Sequence, residues 1–386
     1  MSEIKKHAKL SASGSSKWIN CPGSIEAESK IVKKQSVYAE EGTLAHELAD
    51  TCLKKRVDAS TFIDKTISCE SDGKVLSTVV DKEMAKFVQE YLDYVLSFET
   101  KNSQLYTEDK VDFSNIAPDG FGTMDSAILD YDTGVCHIFD LKYGQGVEVS
   151  AIENTQGQLY ALGFYNELKC LDVIKSFVIH IVQPRKWNFS EWEISLKDLV
   201  AFGEFAKKKA QEALTPGAKR VPGYKQCEFC NAKASCTALD KFTQEIISAD
   251  FDNLDEVDSE SVTDERVKLI LDNKKLIESF LSAVETRAFE RLVAGEKIPG
   301  YKIVEGKSNR KWIDDAEAKL IEKLGDEAFE KSLIGITAAE KKLNKKEVND
   351  LTYKPPGRLT LAPESDKRPA VTSVSDDFEN LNDEEL

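Results

Sequence analysis

Two runs rich in apolar and β-branched residues, 121–129 and 135–142, flank the turn-forming cluster Asp130-Tyr131-Asp132-Thr133-Gly134. This pattern predicts an antiparallel hairpin. Asp125 and Asp140 are placed symmetrically about it, their midpoint falling between Asp132 and Thr133. In a regular hairpin they stand opposite one another with Cβ atoms roughly 5 Å apart. Like charges that close are destabilising unless a cation sits between them. Strand parity sends Asp140 and Lys142 to one face, and Phe139 and Leu141 to the other, toward the core. Gln156 and Tyr160, four apart in the helical segment that follows, share a face. Most Asp-x-Lys triplets are surface charges. An opposed aspartate, followed by a helix bearing Gln and Tyr, instead gives the groups a magnesium-dependent phosphodiesterase needs.

With 386 residues the chain can hold one large or two modest domains. A composition of 41% hydrophobic and 31% charged residues is that of a soluble globular protein. No apolar run approaches a membrane span, and MSEIKKHAKLSASGSS lacks the apolar centre of a signal peptide, so a cytoplasmic location is expected. The net charge of −16 argues at first against a nucleic-acid partner. The charges are segregated, however. Residues 245–265 hold nine acids and no Lys or Arg, and residues 375–386 hold six acids and no base. Lys207-Lys208-Lys209, Lys219-Arg220 and Lys225 gather just before the last cysteines. That leaves room for a basic groove, although each run alone reads equally well as a solvated helix face.

Along the chain, residues 1–35 read as polar and loosely ordered until Trp18-Ile19-Asn20-Cys21. A helix then opens at Gly42-Thr43 with Thr43 as N-cap. Another spans 81–98, strands follow at 103–113, 121–129 and 135–141, and a helix covers 152–168. Residues 174–182 and 192–194 read as strands, and 196–214 as a helix. This order predicts an α/β core with a mixed sheet. An acidic stretch over 249–264, a long helix over 267–294, further helical segments and a Pro-containing acidic tail follow. The expected divisions are 1–245, a mostly helical 246–354, and a disordered tail 355–386.

The eight cysteines of a cytoplasmic protein are not expected as disulfides. Cys227-x2-Cys230-x5-Cys236 has metal-ligand spacing but is one ligand short of a structural Zn2+ site or a [4Fe–4S] cluster. Cys52 and Cys136 fall in apolar patterns that suit buried thiols. Cys69 and Cys170 stay open, and Cys21, in an irregular segment, is free to reach the trio. Spacing alone does not separate zinc from iron–sulfur. His46, a lone helical histidine, is by itself more often a capping or surface residue than a ligand. His137 shares the core-facing parity of Phe139 and reads as structural.

Taken in order, His46, Asp125, Asp140-Leu141-Lys142 and Gln156-x3-Tyr160 resemble the RecB-type branch of the PD-(D/E)XK nuclease superfamily. Cys21 with Cys227, Cys230 and Cys236 is similar to the iron–sulfur staple of the AddB and Cas4 nucleases, one cysteine before the core and three after. Asp140-Leu141-Lys142-Tyr143-Gly144, Asn154-x-Gln156, Gln183-Pro184-Arg185, Ser308-Asn309-Arg310-Lys311-Trp312 and Pro355-Pro356-Gly357 resemble the phage and prophage family DUF2800. The likeness covers most of the chain, with the specific motifs in residues 20–240. It implies a restriction-endonuclease-like mixed-sheet core flanked by helices. It also implies a metal-dependent DNA nuclease, an exonuclease of phage replication or recombination, in a bacterial host cell. Its partners would be DNA and a phage recombinase or single-strand-binding protein. An inactive DNA-binding or scaffold protein of the same module is the alternative.

By position, the resemblance assigns His46, Asp125, Asp140 and the Leu141 carbonyl to Mg2+ or Mn2+. It gives Lys142 the attacking water and the phosphate charge, and gives Gln156 and Tyr160 the positioning of the DNA or the lysine. The four cysteines would hold a structural [4Fe–4S] cluster, with Zn2+ as the alternative. The chain departs from the pattern in having Asp at the second acid and no Pro before Asp125. A second glutamine, Gln158, stands close to Gln156.

Overall fold

A computed structural model describes residues 8–29, 31, 37–71, 73–168, 172–248 and 263–304. In chain order, α1 (Ser15–Asn20), α2 (Ser24–Glu28) and α3 (Val37–Lys55) precede a small antiparallel hairpin of β1 (Thr66–Ser71) and β2 (Lys74–Val79). Helix α4 (Lys82–Leu96) leads into β3 (Ser103–Asp112), β4 (Phe121–Asp130) and β5 (Val135–Leu141). Helix α5 (Thr155–Leu168) crosses to β6 (Ser176–Gln183), which β7 (Asn188–Ser195) and α6 (Leu196–Leu214) follow. Three more helices, α7 (Tyr224–Cys227), α8 (Thr237–Ser248) and α9 (Asp264–Val293), come after them.

Strands β3 to β7 form one sheet in chain order. Only the β5–β6 pair is parallel, as a helical crossover requires, so the sheet is mixed and the protein is α/β. The predicted hairpin pairs Asp130 with Val135 through to Ser126 with Phe139.

The sheet is covered on both faces, whereas the parity argument had placed the core on one. Alternate residues of β5 supply two cores. Cys136 and Ile138 pack with Trp18, Leu159, Phe164 and Leu199 on the side of α1, α5 and α6. Phe139 and Leu141 pack with Leu48, Val88, Leu92 and Val182 on the side of α3 and α4. A strand in mid-sheet has no solvated face, so its polar positions must be satisfied inside the protein. This sets the conditions for Asp140.

Local chemistry fixes the flanking helices. Met84, Val88, Tyr91, Leu92 and Val95 form the buried stripe of α4, and Asp81 caps it by accepting from the Met84 N–H (2.7 Å), a contact worth about 1 kcal/mol. The expected start of α3 at Thr43 is corrected: the helix runs back to Val37. Ala39, Glu40 and Glu41 extend it, and Thr43 Oγ1 donates to the Ala39 carbonyl (3.0 Å) from inside the helix instead of capping it. Helix α5 starts at Thr155 rather than 152, after Glu153 turns left-handed (φ +53°), and Asn154 Oδ1 accepts from the Gly157 N–H (3.0 Å). Order also begins earlier than Trp18: Leu10 and Ala12 are buried in the first core, and Trp18 Nε1 donates to the Ser11 carbonyl (3.0 Å).

The β1–β2 hairpin was not foreseen. Its Ile67 and Leu76 join the core beneath α3. In the second half of the chain, Leu276 and Phe280 of α9 pack with Cys227 and Leu239. The acidic stretch between α8 and α9, the motifs Ser308–Trp312 and Pro355–Gly357, the tail and Cys170 lie outside the described residues. No described helix is long and apolar enough to cross a membrane.

Candidate metal and phosphodiester site

The β4–β5 ladder stops at Ser126 and Phe139, and the next position in the same register sets Asp125 opposite Asp140. There a side chain replaces the backbone bond, the Leu141 N–H donating to Asp125 Oδ2 (2.7 Å). The other carboxylate oxygen, Oδ1, accepts from His46 Nδ1 (3.0 Å). Helix α3 therefore delivers the histidine across 79 residues of sequence.

Asp140 is 2% exposed. Its Oδ1 accepts from Lys142 Nζ (3.1 Å) and from Gln156 Nε2 (2.9 Å). Gln156 also accepts from Lys142 Nζ (3.2 Å), and its amide nitrogen lies 3.2 Å from the Tyr160 hydroxyl, to which it donates. Asp140 Oδ2 pairs with the Lys142 ammonium at 2.8 Å, so Lys142 bridges both oxygens of the carboxylate. Gln156, and not the buried Gln158, is thus the helix residue that reaches the hairpin. Gly122 makes room for Tyr160, because a Cβ there would come 2.6 Å from the tyrosine ring.

Glu108 on β3 is the site residue that sequence reasoning missed. Thr107 pairs with Ser126 and Asp109 with Met124, so Glu108 faces Asp125 across the β3–β4 ladder. The ladder is open at that point, and Glu108 adopts φ +49°, a strained conformation for a non-glycine residue inside a strand. One ligand atom from each of His46, Glu108 and Asp125 falls within 4.8 Å of the others. Asp140 stands outside that trio, held by Lys142 and Gln156. Applied to the segment between β3 and β4, the symmetry argument that opposes Asp125 to Asp140 would have found Glu108.

Three acids thus stand side by side on β3, β4 and β5, with His46 and Lys142 among them. Burial, then the charge of Asp125, pushes Glu108 up to about 7. Burial raises Asp140 as well, against the pull of Lys142. At Asp125 burial works upward, but the charge and hydrogen bond of His46, with Lys142 and the Leu141 N–H, bring the carboxyl below its usual range. Burial would lower both His46 and Lys142, yet the carboxylates beside them prevail and raise both. Lys142 is therefore held as an ammonium.

The four predicted cysteines lie elsewhere. Cys21, Cys227, Cys230 and Cys236 line one recess, together with Arg220, Val221 and Lys233 among others. All four are free thiols, and Cys21 Sγ accepts from the Val221 N–H (3.3 Å). Burial raises Cys21 and Cys227, and takes Cys230 up to about 11. Cys52 and Cys136 are buried free thiols, as expected, and Cys69 sits on β1. His137 is structural as read: its Nδ1 meets His180 Nε2 (2.9 Å), and the Tyr94 hydroxyl meets His180 Nδ1 (3.0 Å).

A family described as "Protein of unknown function (DUF2800)" matches residues 7–369. Among solved structures, one described as "Crystal structure of SSO0001" is similar at 12% identity and a TM-score of 0.29, over 62% of this chain and 89% of that one.

Proposed function

We propose, for a chain that belongs to the DUF2800 family and takes no activity from that membership, a metal-dependent deoxyribonuclease with a PD-(D/E)XK, restriction-endonuclease-like core. The observation that carries this reading is Asp140. A carboxylate 2% exposed holds Lys142 on both oxygens and Gln156 on one, one strand away from the Asp125–His46 pair. A row of Glu108, Asp125 and Asp140 is costly as it stands, and a divalent cation offsets that cost.

The donor set fits a hard ion with one borderline ligand. His46, Glu108 and Asp125 would hold it, with Asp140 and the Leu141 carbonyl at its edge, and an imidazole beside carboxylates suits Mn2+ as well as Mg2+. Bound there, the ion would polarise a phosphoryl oxygen and lower the pKa of a water. Lys142, kept as an ammonium by Asp140, offsets charge on the phosphate and orients the attacking water. Gln156 fixes both Lys142 and Asp140, and Tyr160 fixes Gln156. Lys207 and Lys208, exposed on α6, and Lys219 and Lys225 beyond it offer contacts to a phosphate backbone.

The cysteine recess is read as a structural site for a [4Fe–4S] cluster, with Zn2+ as the alternative. Cys21 precedes the sheet and the other three follow it, so a shared ion or cluster would close the two ends of the core together. Iron, with a brown colour in anaerobic protein, supports the first. Zinc in colourless protein overturns it.

The test of activity is Mg2+- or Mn2+-dependent cleavage of linear DNA by the unaltered protein and by Asp140→Ala and Lys142→Ala variants. Folded variants without cleavage support the reading, and cleavage undiminished in both sinks it. Tight DNA binding with no hydrolysis by the unaltered protein would favour the scaffold alternative.

A further inference from the structure

Lys142 opens residues 142–154, a connection between β5 and α5 that contains no helix or strand, and Gln156 stands just beyond it in the first turn of α5. Connections of that length are uncommon in compact domains, and their backbone groups need partners from outside. Here the partners come from one corner, the Gln183-Pro184-Arg185 motif and the start of β7. The Gln183 side chain, 2% exposed, accepts from the Val149 N–H (2.7 Å) and donates to the Val147 carbonyl (3.1 Å). Lys186 Nζ donates to the Gly146 carbonyl (2.8 Å) and Asn188 Nδ2 to the Val149 carbonyl (2.8 Å). Ser190 Oγ accepts from the Ala151 N–H (3.0 Å).

Arg185 extends the grip across the sheet. Its guanidinium lies 5.0 Å from the Tyr143 ring centre and 5.9 Å from that of Phe87. With the Gln145 amide oxygen turned toward it, Gln145 accepts from Arg185 Nη2 (3.0 Å) and Nε (3.1 Å). Nη1 donates to Glu41 of α3 (3.1 Å) and Nη2 to Glu83 of α4 (2.8 Å). Glu41 lies about one and a half turns before His46 on the same helix. One planar cation, with its side chain 14% exposed, therefore touches the segment just after Lys142 and the helix that carries His46.

We propose that Arg185 is a positioning residue for the reaction: it locks the connection from Lys142 to Gln156 against the helix that bears His46, so that the lysine and the histidine approach one phosphate in a fixed relation. Resting on the nuclease reading, this predicts effects that surface ion pairs lack. Lysine carries the charge but not the fork that meets Glu41, Glu83 and Gln145 together, so Arg185→Lys rescues only partly.

The experiment compares the unaltered protein with Arg185→Gln, Arg185→Lys and, as a variant cut only on the exposed loop side, Gln145→Ala. Hydrogen–deuterium exchange of residues 143–151 and 39–46 is measured beside kcat and KM for DNA. Arg185→Gln is expected to raise exchange in both segments together and to lower kcat tenfold or more with KM within twofold. Arg185→Lys should lie between, and Gln145→Ala should loosen 143–151 alone. Unchanged exchange in 143–151, faster exchange with undiminished kcat, or full rescue by lysine would each overturn the proposal. Absence of cleavage by the unaltered protein would strike at the nuclease reading instead, leaving the exchange of the two segments to decide whether Arg185 couples them.

Discussion

The acidic site and the cysteine recess differ in what holds them together before any ion arrives. Asp125 and Asp140 lie on paired strands, Glu108 on the next strand, and each of Asp125 and Asp140 is already bound by named donors. The recess joins segments about two hundred residues apart, and three of its thiols have pKa values raised by burial. The first is preorganised, so on the proposed reading an ion would add function to a frame that stands without it. If the second takes the proposed cluster or Zn2+, its thiols would give up their protons as the metal binds, and binding and closure of the fold would be one event.

Four expected outcomes test that contrast, beginning with the largest. Asp125→Asn removes the carboxylate charge and one of the two oxygens that accept from His46 and Leu141, and should reduce metal-dependent cleavage about 10²–10³-fold while leaving the circular dichroism spectrum unchanged. A variant that unfolds would show that the acidic site, too, depends on its partners for folding. Cys21→Ser should do the reverse, lowering stability by roughly 3–4 kcal/mol, as expected for opening a long cross-linked loop, with kcat changed only a few-fold. Thermal unfolding and cleavage measured on the same preparation separate the two, and equal loss of both would erase the distinction.

The third outcome concerns the sheet between them. Burial, then the neighbouring His137, lowers His180 to about 3. The unfolded chain binds that proton near pH 6.5 and the folded protein does not, so stability falls as pH drops below 6.5 and continues to fall toward 3. About 2–3 kcal/mol should be lost between pH 6.5 and 4 from this residue, and His180→Gln should flatten the urea-midpoint profile over that window. An identical profile in the variant would assign acid sensitivity to other groups. Smallest is Glu108→Gln, expected to weaken Mn2+ binding about tenfold, read by electron paramagnetic resonance, without harm to the fold. Undiminished affinity would remove Glu108 from the ligand set.

Much of this was legible in the sequence because it depends on local symmetry. The turn at 130–134 sets the register, the register opposes Asp125 to Asp140, and helical spacing brings Gln156 and Tyr160 to one side. The boundaries of α6 and the stripe of α4 follow from the same short-range periodicity. Glu108 was equally local but lies on a strand whose pairing had not been traced. The start of α3 was hidden because Gly42 reads as a helix boundary, yet it has open space around it and the helix passes through. Burial of both sheet faces, the contacts of Arg185 with α3 and α4, and the His137–His180–Tyr94 chain join residues 43 to 144 positions apart. Nothing in one segment's pattern reports contacts of that range.

The central claim is that the carboxylate row with Lys142 cuts DNA by means of a bound divalent ion. Incubating the protein with end-labelled linear DNA and with covalently closed circular DNA, with and without Mn2+, tests it directly, with Asp140→Ala as control. The account predicts Mn2+-dependent loss of linear DNA by the unaltered protein alone, the circle reporting whether a free end is needed. Intact linear DNA in the presence of Mn2+, or equal degradation by the Asp140→Ala protein, would contradict it.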